Sequence, residues 1–203
     1  MRYATGASMN KLQGFYVLKE SGLPAVRWFP YVKGMVLDKE ILWTVRSAVT
    51  EGNDLNLPRK VGVTADEATN FAEELIDKLD SEDLVLCYPY FIALKSGVID
   101  IRENRIVIEA VKDDLWNLVT YNKRNVTILF EEEDIRFDGD EKFLTQEELL
   151  ELIDYCVTIK NKWNNLLLNG KSLLLEWSFG MDCDSEHNGT GEPYLIFYEL
   201  RTV

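Results

Sequence analysis

Ser172-Leu173-Leu174-Leu175-Glu176-Trp177-Ser178-Phe179 and Tyr194-Leu195-Ile196-Phe197-Tyr198-Glu199-Leu200-Arg201 are two apolar, strand-forming runs, and the polar stretch from Asp182 to Pro193 between them carries turn residues. They predict a closing β-hairpin with Glu176 on one strand and Glu199 and Arg201 on the other. Carboxylates on neighbouring strands repel unless a cation lies between them, and Mg2+ shared with a polyphosphate suits such a pair. Arg201 adds a planar charge matched to a phosphate oxygen. The plainer reading of the same residues is a surface hairpin whose charges face water.

A chain of 203 residues with 46% hydrophobic side chains can bury a substantial core, as one domain or as two intimate subdomains. Its formal charge of −13, from 35 acids against 22 bases, argues against a nucleic-acid partner, because phosphate backbones are bound by a basic footprint. The same charge disfavours anionic membrane surfaces. Cys87, Cys156 and Cys183 are widely spaced and odd in number, which fits reduced thiols in a cytosol and none of the metal-ligand spacings. The first thirty residues show no secretory pattern, and no apolar run reaches membrane-spanning length. These features place the protein in the cytoplasm.

Working outward from the hairpin, Ser8 to Glu20 carries Met9, Leu12, Phe15, Tyr16 and Leu18 at helical spacing and is stopped by Gly22 and Pro24. Ala25 to Trp28, Lys33 to Leu37 and Ile41 to Val49 read as strands, and Thr50 to Lys60 as a loop. Thr64 and Glu67 have capping-box spacing ahead of a stripe of Ala68, Phe71, Ala72, Leu75, Ile76 and Leu79. Leu84 to Leu94 is a β-rich run in which Pro89 marks a bulge or edge. Gly97 to Ile101, Arg105 to Val111 and Val126 to Phe130 follow as short strands, the first two joined by a turn at Asn104. Glu131-Glu132-Glu133-Asp134 and Asp138-Gly139-Asp140 mark the best internal boundary. Thr145 and Glu148 then cap a helix buried through Leu149, Leu152, Ile153, Cys156, Ile159 and Trp163. Helices and strands do not alternate regularly, so the pattern describes an α+β protein.

Several collinear segments resemble the N-terminal nucleotide-binding domain shared by phosphoenolpyruvate synthase, pyruvate phosphate dikinase and related water dikinases. Ser8-Met9-Asn10-Lys11-Leu12 and Ser21-Gly22-Leu23-Pro24-Ala25-Val26 are similar to that family's opening helix and Gly-Leu-Pro-Val-Pro segment. Val45-Arg46-Ser47-Ala48 resembles its Val-Arg-Ser-Ser stretch, and Ser96-Gly97-Val98 its Ser-Gly-Val. Ile106-Val107-Ile108-Glu109-Ala110 sits where the family places its next strand, and Phe143-Leu144-Thr145 resembles the start of its Leu-Thr helix. Glu176-Trp177 is similar to Ile-Glu-Trp, and Glu199-Leu200-Arg201-Thr202-Val203 to the closing Gln-x-Arg-Pro-Val.

The resemblance implies an ATP-grasp fold over residues 1–203, with mixed or antiparallel sheets in two subdomains, 1–130 and 141–203, closing on one cleft for Mg-ATP. It implies Glu176 and Glu199 as magnesium ligands, Arg46 and Arg201 as phosphate-binding catalytic residues, and Lys11 as the nearest cation to the nucleotide. The implied activity is an ATP-dependent phosphotransferase, with a separate phosphohistidine-domain protein as partner, because the family's phosphohistidine and barrel domains have no counterpart here. Thr5-Gly6-Ala7-Ser8 replaces the family's Gly-Gly-Lys-Gly, so its phosphate-binding lysine has no match. Asp114-Leu115-Trp116-Asn117 stands in place of Gly-Leu-Gly-Glu, Leu174 in place of an aspartate, and Glu199 in place of a glutamine. These departures define the alternative, a degenerate relative that acts as a binding or regulatory subunit. Two further readings concern the hairpin loop: Asp184-Ser185-Glu186-His187-Asn188-Gly189 begins like a calcium loop but has Leu195 at its twelfth position, and Asp182, Cys183, Glu186 and His187 can be drawn as a zinc set.

Overall fold

A computed structural model describes residues 9–50, 57–132 and 134–203. Among these residues the chain is a mixed α+β protein with two antiparallel sheets, of four and six strands, and five helices. It divides into two compact units, one of Asn10–Ala93 with Phe179–Ile196, the other of Leu94–Ser178 with Phe197–Val203 and Met9.

In the first unit, α1 (Lys11–Ser21) starts at Asn10, whose side chain accepts from the Gln13 amide at 2.9 Å while the Gln13 side chain accepts from the Asn10 amide at 3.1 Å. The helix stops at Gly22, where φ is 81°, a left-handed conformation in which glycine carries no Cβ penalty. β1 (Phe29–Pro30), β2 (Trp43–Ala48), β3 (Arg59–Val63) and β4 (Leu84–Pro89) form a sheet in the order β1-β4-β2-β3. β2 is an interior strand and all six of its residues are buried. Its Trp43 and Val45, with Val85 and Cys87 of β4, pack against Ala68, Ala72 and Leu75 of α2 (Ala65–Ile76), the stripe expected from the sequence. Its Arg46 meets Phe15 of α1 instead. Two expected strands do not form here: Ala25 to Trp28 lies ahead of β1, and Lys33 to Leu37 contains no strand residue. Pro30 ends β1 after two residues, and the chain at Lys33 to Leu37 turns at Gly34, where φ is 82°. Conversely, Arg59 and Lys60, expected in a loop, open β3 by pairing with Arg46 and Val45.

In the second unit, β5 (Phe91–Ile101), β6 (Arg105–Lys112), β7 (Val126–Glu131) and β8 (Asp134–Gly139) run as successive antiparallel neighbours. β9 (Leu173–Cys183) and β10 (Gly189–Thr202) complete the six-stranded sheet in the order β10-β9-β5-β6-β7-β8, and β5, β9 and β10 have residues in both units. Ile99, Ile108 and Ile128 form a cross-strand row that is at most 1% exposed. Gly97, two pairs along on β5, lies under the indole of Trp177. Between β6 and β7 the chain makes the single turn α3 (Trp116–Val119). Glu131 and Asp134, from the acidic run expected to mark a boundary, pair with each other, and β7 and β8 pair from there to Val126–Gly139 within one unit.

α4 (Gln146–Lys162) is capped as its sequence predicts, with Thr145 accepting from the Glu148 amide and the Glu148 carboxylate accepting from the Thr145 amide. Leu152, Cys156 and Ile159 are its buried face. Lys95 of β5 reaches Glu148 at 2.6 Å, and Tyr155 meets the ring of Phe197 of β10 edge-on at 5.7 Å, so two strands of the sheet hold the helix. A further turn, α5 (Asn164–Leu168), leads to β9. At the end of the chain Ser172 and Val203 exchange both backbone hydrogen bonds.

Candidate functional site

The hairpin expected from the sequence is present and longer than expected, and Glu176 and Glu199 do lie on neighbouring strands, β9 and β10. Glu199 is only 2% exposed, although it is a carboxylate. Arg201 falls on the same face of β10, two residues on, and its Nε stands 4.0 Å from Oε1 of Glu199. Glu176 is half-buried. The plainer expectation of a hairpin with solvated charges therefore fails at Glu199, while Glu176 and Arg201 are each partly exposed.

Two carboxylates are fewer than a dedicated protein cage for a divalent cation uses. Among the described residues no group of three or more His, Cys, Asp or Glu side chains is placed to hold a metal ion. Mg2+ commonly takes one or two carboxylates and completes its shell with phosphate oxygens and water.

Arg46 and Lys11 belong to the other unit. Arg46 is 7% exposed in the middle of β2, and its guanidinium carbon lies 5.1 Å from the centroid of the Phe15 ring. A cation over an aromatic face is held electrostatically and keeps its planar donors directed sideways. Lys11 is the first residue of α1 and lies four residues before Phe15, hence on the same side of the helix. The first turn of α1 contains no acid, so a lysine occupies the positive end of the helix dipole. The helical spacing marks Phe15 only as part of the apolar face.

The Thr5-Gly6-Ala7-Ser8 opening lies outside the described residues. Asp114-Leu115-Trp116-Asn117 folds as a turn tied by its own side chain: Asp113 has φ 61°, the Asp114 carboxylate accepts from the Trp116 amide at 2.7 Å, and α3 follows.

The hairpin loop is organised by its own side chains. Oδ1 of Asp184 accepts from the amides of Glu186 and Asn188, each at 2.9 Å, and Oδ2 accepts from Nδ2 of Asn188 at 3.0 Å. These bonds hold the Asp184 carboxyl below the usual carboxylate range. The oxygens that a calcium loop would offer are engaged inward, and Asn188 presents its amide nitrogen to Asp184. His187, at φ 64°, sets its ring edge-on to Tyr90 at 5.8 Å.

Beside this loop the first unit contains a cleft of about 770 Å³, lined by Leu23, Val26, Arg27, Tyr90, Cys183 and Tyr194 among others. Tyr194 donates to Asp182 at 2.6 Å, and burial followed by that carboxylate pushes its phenol well up. The sequence pattern marks no such cleft: it ends the first hairpin strand at Phe179, before Asp182, and takes Tyr194 only as the first residue of the second. Burial also pushes the Cys87 and Cys156 thiols up to about 12 and raises Cys183, and all three are free of disulfides.

No helix among the described residues is long and apolar enough to cross a membrane. No protein-family model matches the chain, and no curated protein matches it.

Proposed function

We propose that the chain is an ATP-grasp-type module, related to the nucleotide-binding domain of phosphoenolpyruvate synthase and pyruvate phosphate dikinase, that binds Mg-ATP and serves phosphoryl transfer. The observation that carries this reading is Glu199: a carboxylate 2% exposed in a terminal strand, with Arg201 at 4.0 Å and Glu176 on the adjacent strand. Apolar residues would complete such a sheet at lower desolvation cost, so a buried acid with a half-buried base beside it supports a chemical role. On this reading Glu176 and Glu199 hold Mg2+, which neutralises the phosphate chain when bound. Arg201 and Arg46 supply planar donors to phosphate oxygens, and Lys11 adds a positive charge at a helix N-terminus. The phosphate acceptor would be a histidine on a separate phosphohistidine-domain protein, and the cytoplasm, where ATP is abundant, is the compartment this reading requires.

One observation favours a second reading, a degenerate relative that binds a partner and has lost nucleotide chemistry. The Asp114–Asn117 turn carries side chains where the resembled family has glycines, which removes a close backbone approach to phosphate.

Thermal unfolding with ATP, with and without Mg2+, separates the two. A ligand that binds only the folded state stabilises it by about 2.7 kcal/mol at a hundredfold excess over its dissociation constant. The nucleotide reading requires a Mg2+-dependent shift that Arg46→Ala and Glu176→Gln each abolish; no shift, or one unchanged in both variants, sinks it.

A further inference from the structure

The outer edge of the six-stranded sheet is open. β8 is its terminal strand, and all six of its residues are exposed. Apolar rows run out to it from the core: Ile106, Phe130 and Ile135 are successive cross-strand partners, as are Ile108, Ile128 and Phe137. Ile108 and Ile128 are buried and Ile106 and Phe130 half-buried, yet Ile135 is 57% and Phe137 37% exposed. Natural proteins usually blunt such an edge with charge, proline or a bulge, because its unpaired amides and carbonyls accept another strand.

Backbone parity identifies which groups face outward. Asp140 donates to the Asn125 carbonyl at 2.8 Å, and the pairing of Asp134 with Glu131 closes the β7–β8 turn. Even-numbered residues of β8 therefore point their polar groups at β7, and Ile135, Phe137 and Gly139 point theirs away. An antiparallel copy of β8 can bond to this edge only with odd residues opposite odd residues. A two-fold axis through Phe137 satisfies that condition. It sets Phe137 against Phe137 of the second copy, Ile135 against Gly139, and Arg136 against Asp138 in both directions. The Arg136 and Asp138 side chains are 63% and 78% exposed, so both are available to a partner strand even though Arg136 also touches Asp134 and Asp138 also touches Arg124. Beyond Gly139, whose φ of 105° ends the strand, Asp134 would meet Asp140, which limits the ladder to five residues per copy.

We propose that β8 is a self-complementary edge through which two copies of this chain pair, joining their sheets about Phe137. The ladder supplies about six backbone hydrogen bonds and two crossed Arg–Asp pairs. Such a small contact gives a reversible dimer, with a dissociation constant on the order of micromolar to tens of micromolar.

Sedimentation equilibrium of the intact protein tests this, with circular dichroism confirming that each variant is folded. The wild type should approach twice the monomer mass at about 100 µM. R136D and D138R each place like charges opposite one another and should weaken the dimer about tenfold, whereas R136D/D138R restores opposite charges and should recover it. A wild type that stays monomeric at that concentration overturns the proposal. So do single variants that dimerise like the wild type, or a folded double variant that fails to recover.

Discussion

Arg201 and Glu199 stand 4.0 Å apart on one face of β10, with the carboxylate almost wholly withdrawn from water. Replacing Arg201 by alanine leaves that carboxylate with one cation fewer, and the expected loss of stability is about 1 to 3 kcal/mol, at the lower end because Arg201 is partly exposed. Under the nucleotide reading the two residues separate functionally. Arg201→Ala should weaken ATP about tenfold or more with or without Mg2+, while Glu199→Gln should weaken only the Mg2+-dependent part. Titration calorimetry at both conditions measures the difference, and equal effects of the two variants in both would reject the assigned roles.

Gly97 has no room for a side chain. A Cβ there would lie 2.0 Å from the Glu109 carbonyl and 2.5 Å from the Trp177 ring, and the carbonyl belongs to a paired strand that cannot swing aside. Gly97→Ala should cost about 3 kcal/mol, at the upper end of overpacking penalties. Urea unfolding should show the midpoint falling with little change in slope; a cost below about 1 kcal/mol would mean that the sheet shifts easily there.

Glu148 serves two partners, closing the α4 cap on the Thr145 amide at 2.7 Å and pairing with Lys95 at 2.6 Å. Thr145→Ala should destabilise by about 1 kcal/mol, as the loss of one cap bond does. Glu148→Ala removes the reciprocal cap and the tie to β5, so it should cost more, and the double variant should cost less than the sum. Additive losses would show that the cap and the ion pair act independently.

Cys87 and Cys156 are held at about 12 against an ordinary 9.0, chiefly because burial disfavours the thiolate. The folded chain keeps both protons where the unfolded chain releases them. Their contribution is therefore intact below pH 9 and declines as pH climbs from 9 towards 12, by up to about 1.4 kcal/mol per pH unit for each thiol. Cys156→Ala should flatten this alkaline limb, measured by urea unfolding at several pH values, whatever it costs at neutral pH. An unchanged slope would locate the alkaline loss elsewhere.

The elements legible in the sequence are those whose signals are local. Both capped helices begin where Thr64 and Thr145 place them, because the cap bonds span three residues and need no tertiary partner. The Asn104 turn and the closing hairpin were legible for the same reason. β8 was not: Asp134-Ile135-Arg136-Phe137-Asp138 alternates, but its acids read as a solvated loop, and only pairing with β7 makes it a strand. At the candidate site, neighbouring placement of Glu176 and Glu199 followed from the hairpin, whereas the burial of Glu199 and the Phe15 ring beneath Arg46 depend on packing across elements distant in sequence.

The sheltered cysteines have a practical corollary. With Cys87, Cys156 and Cys183 all buried and kept in the unreactive protonated form, a maleimide fluorophore or spin label should bypass them in the native protein. A single cysteine introduced on the surface would then carry the probe alone, allowing distance measurements without first stripping the native sulfurs from the interior.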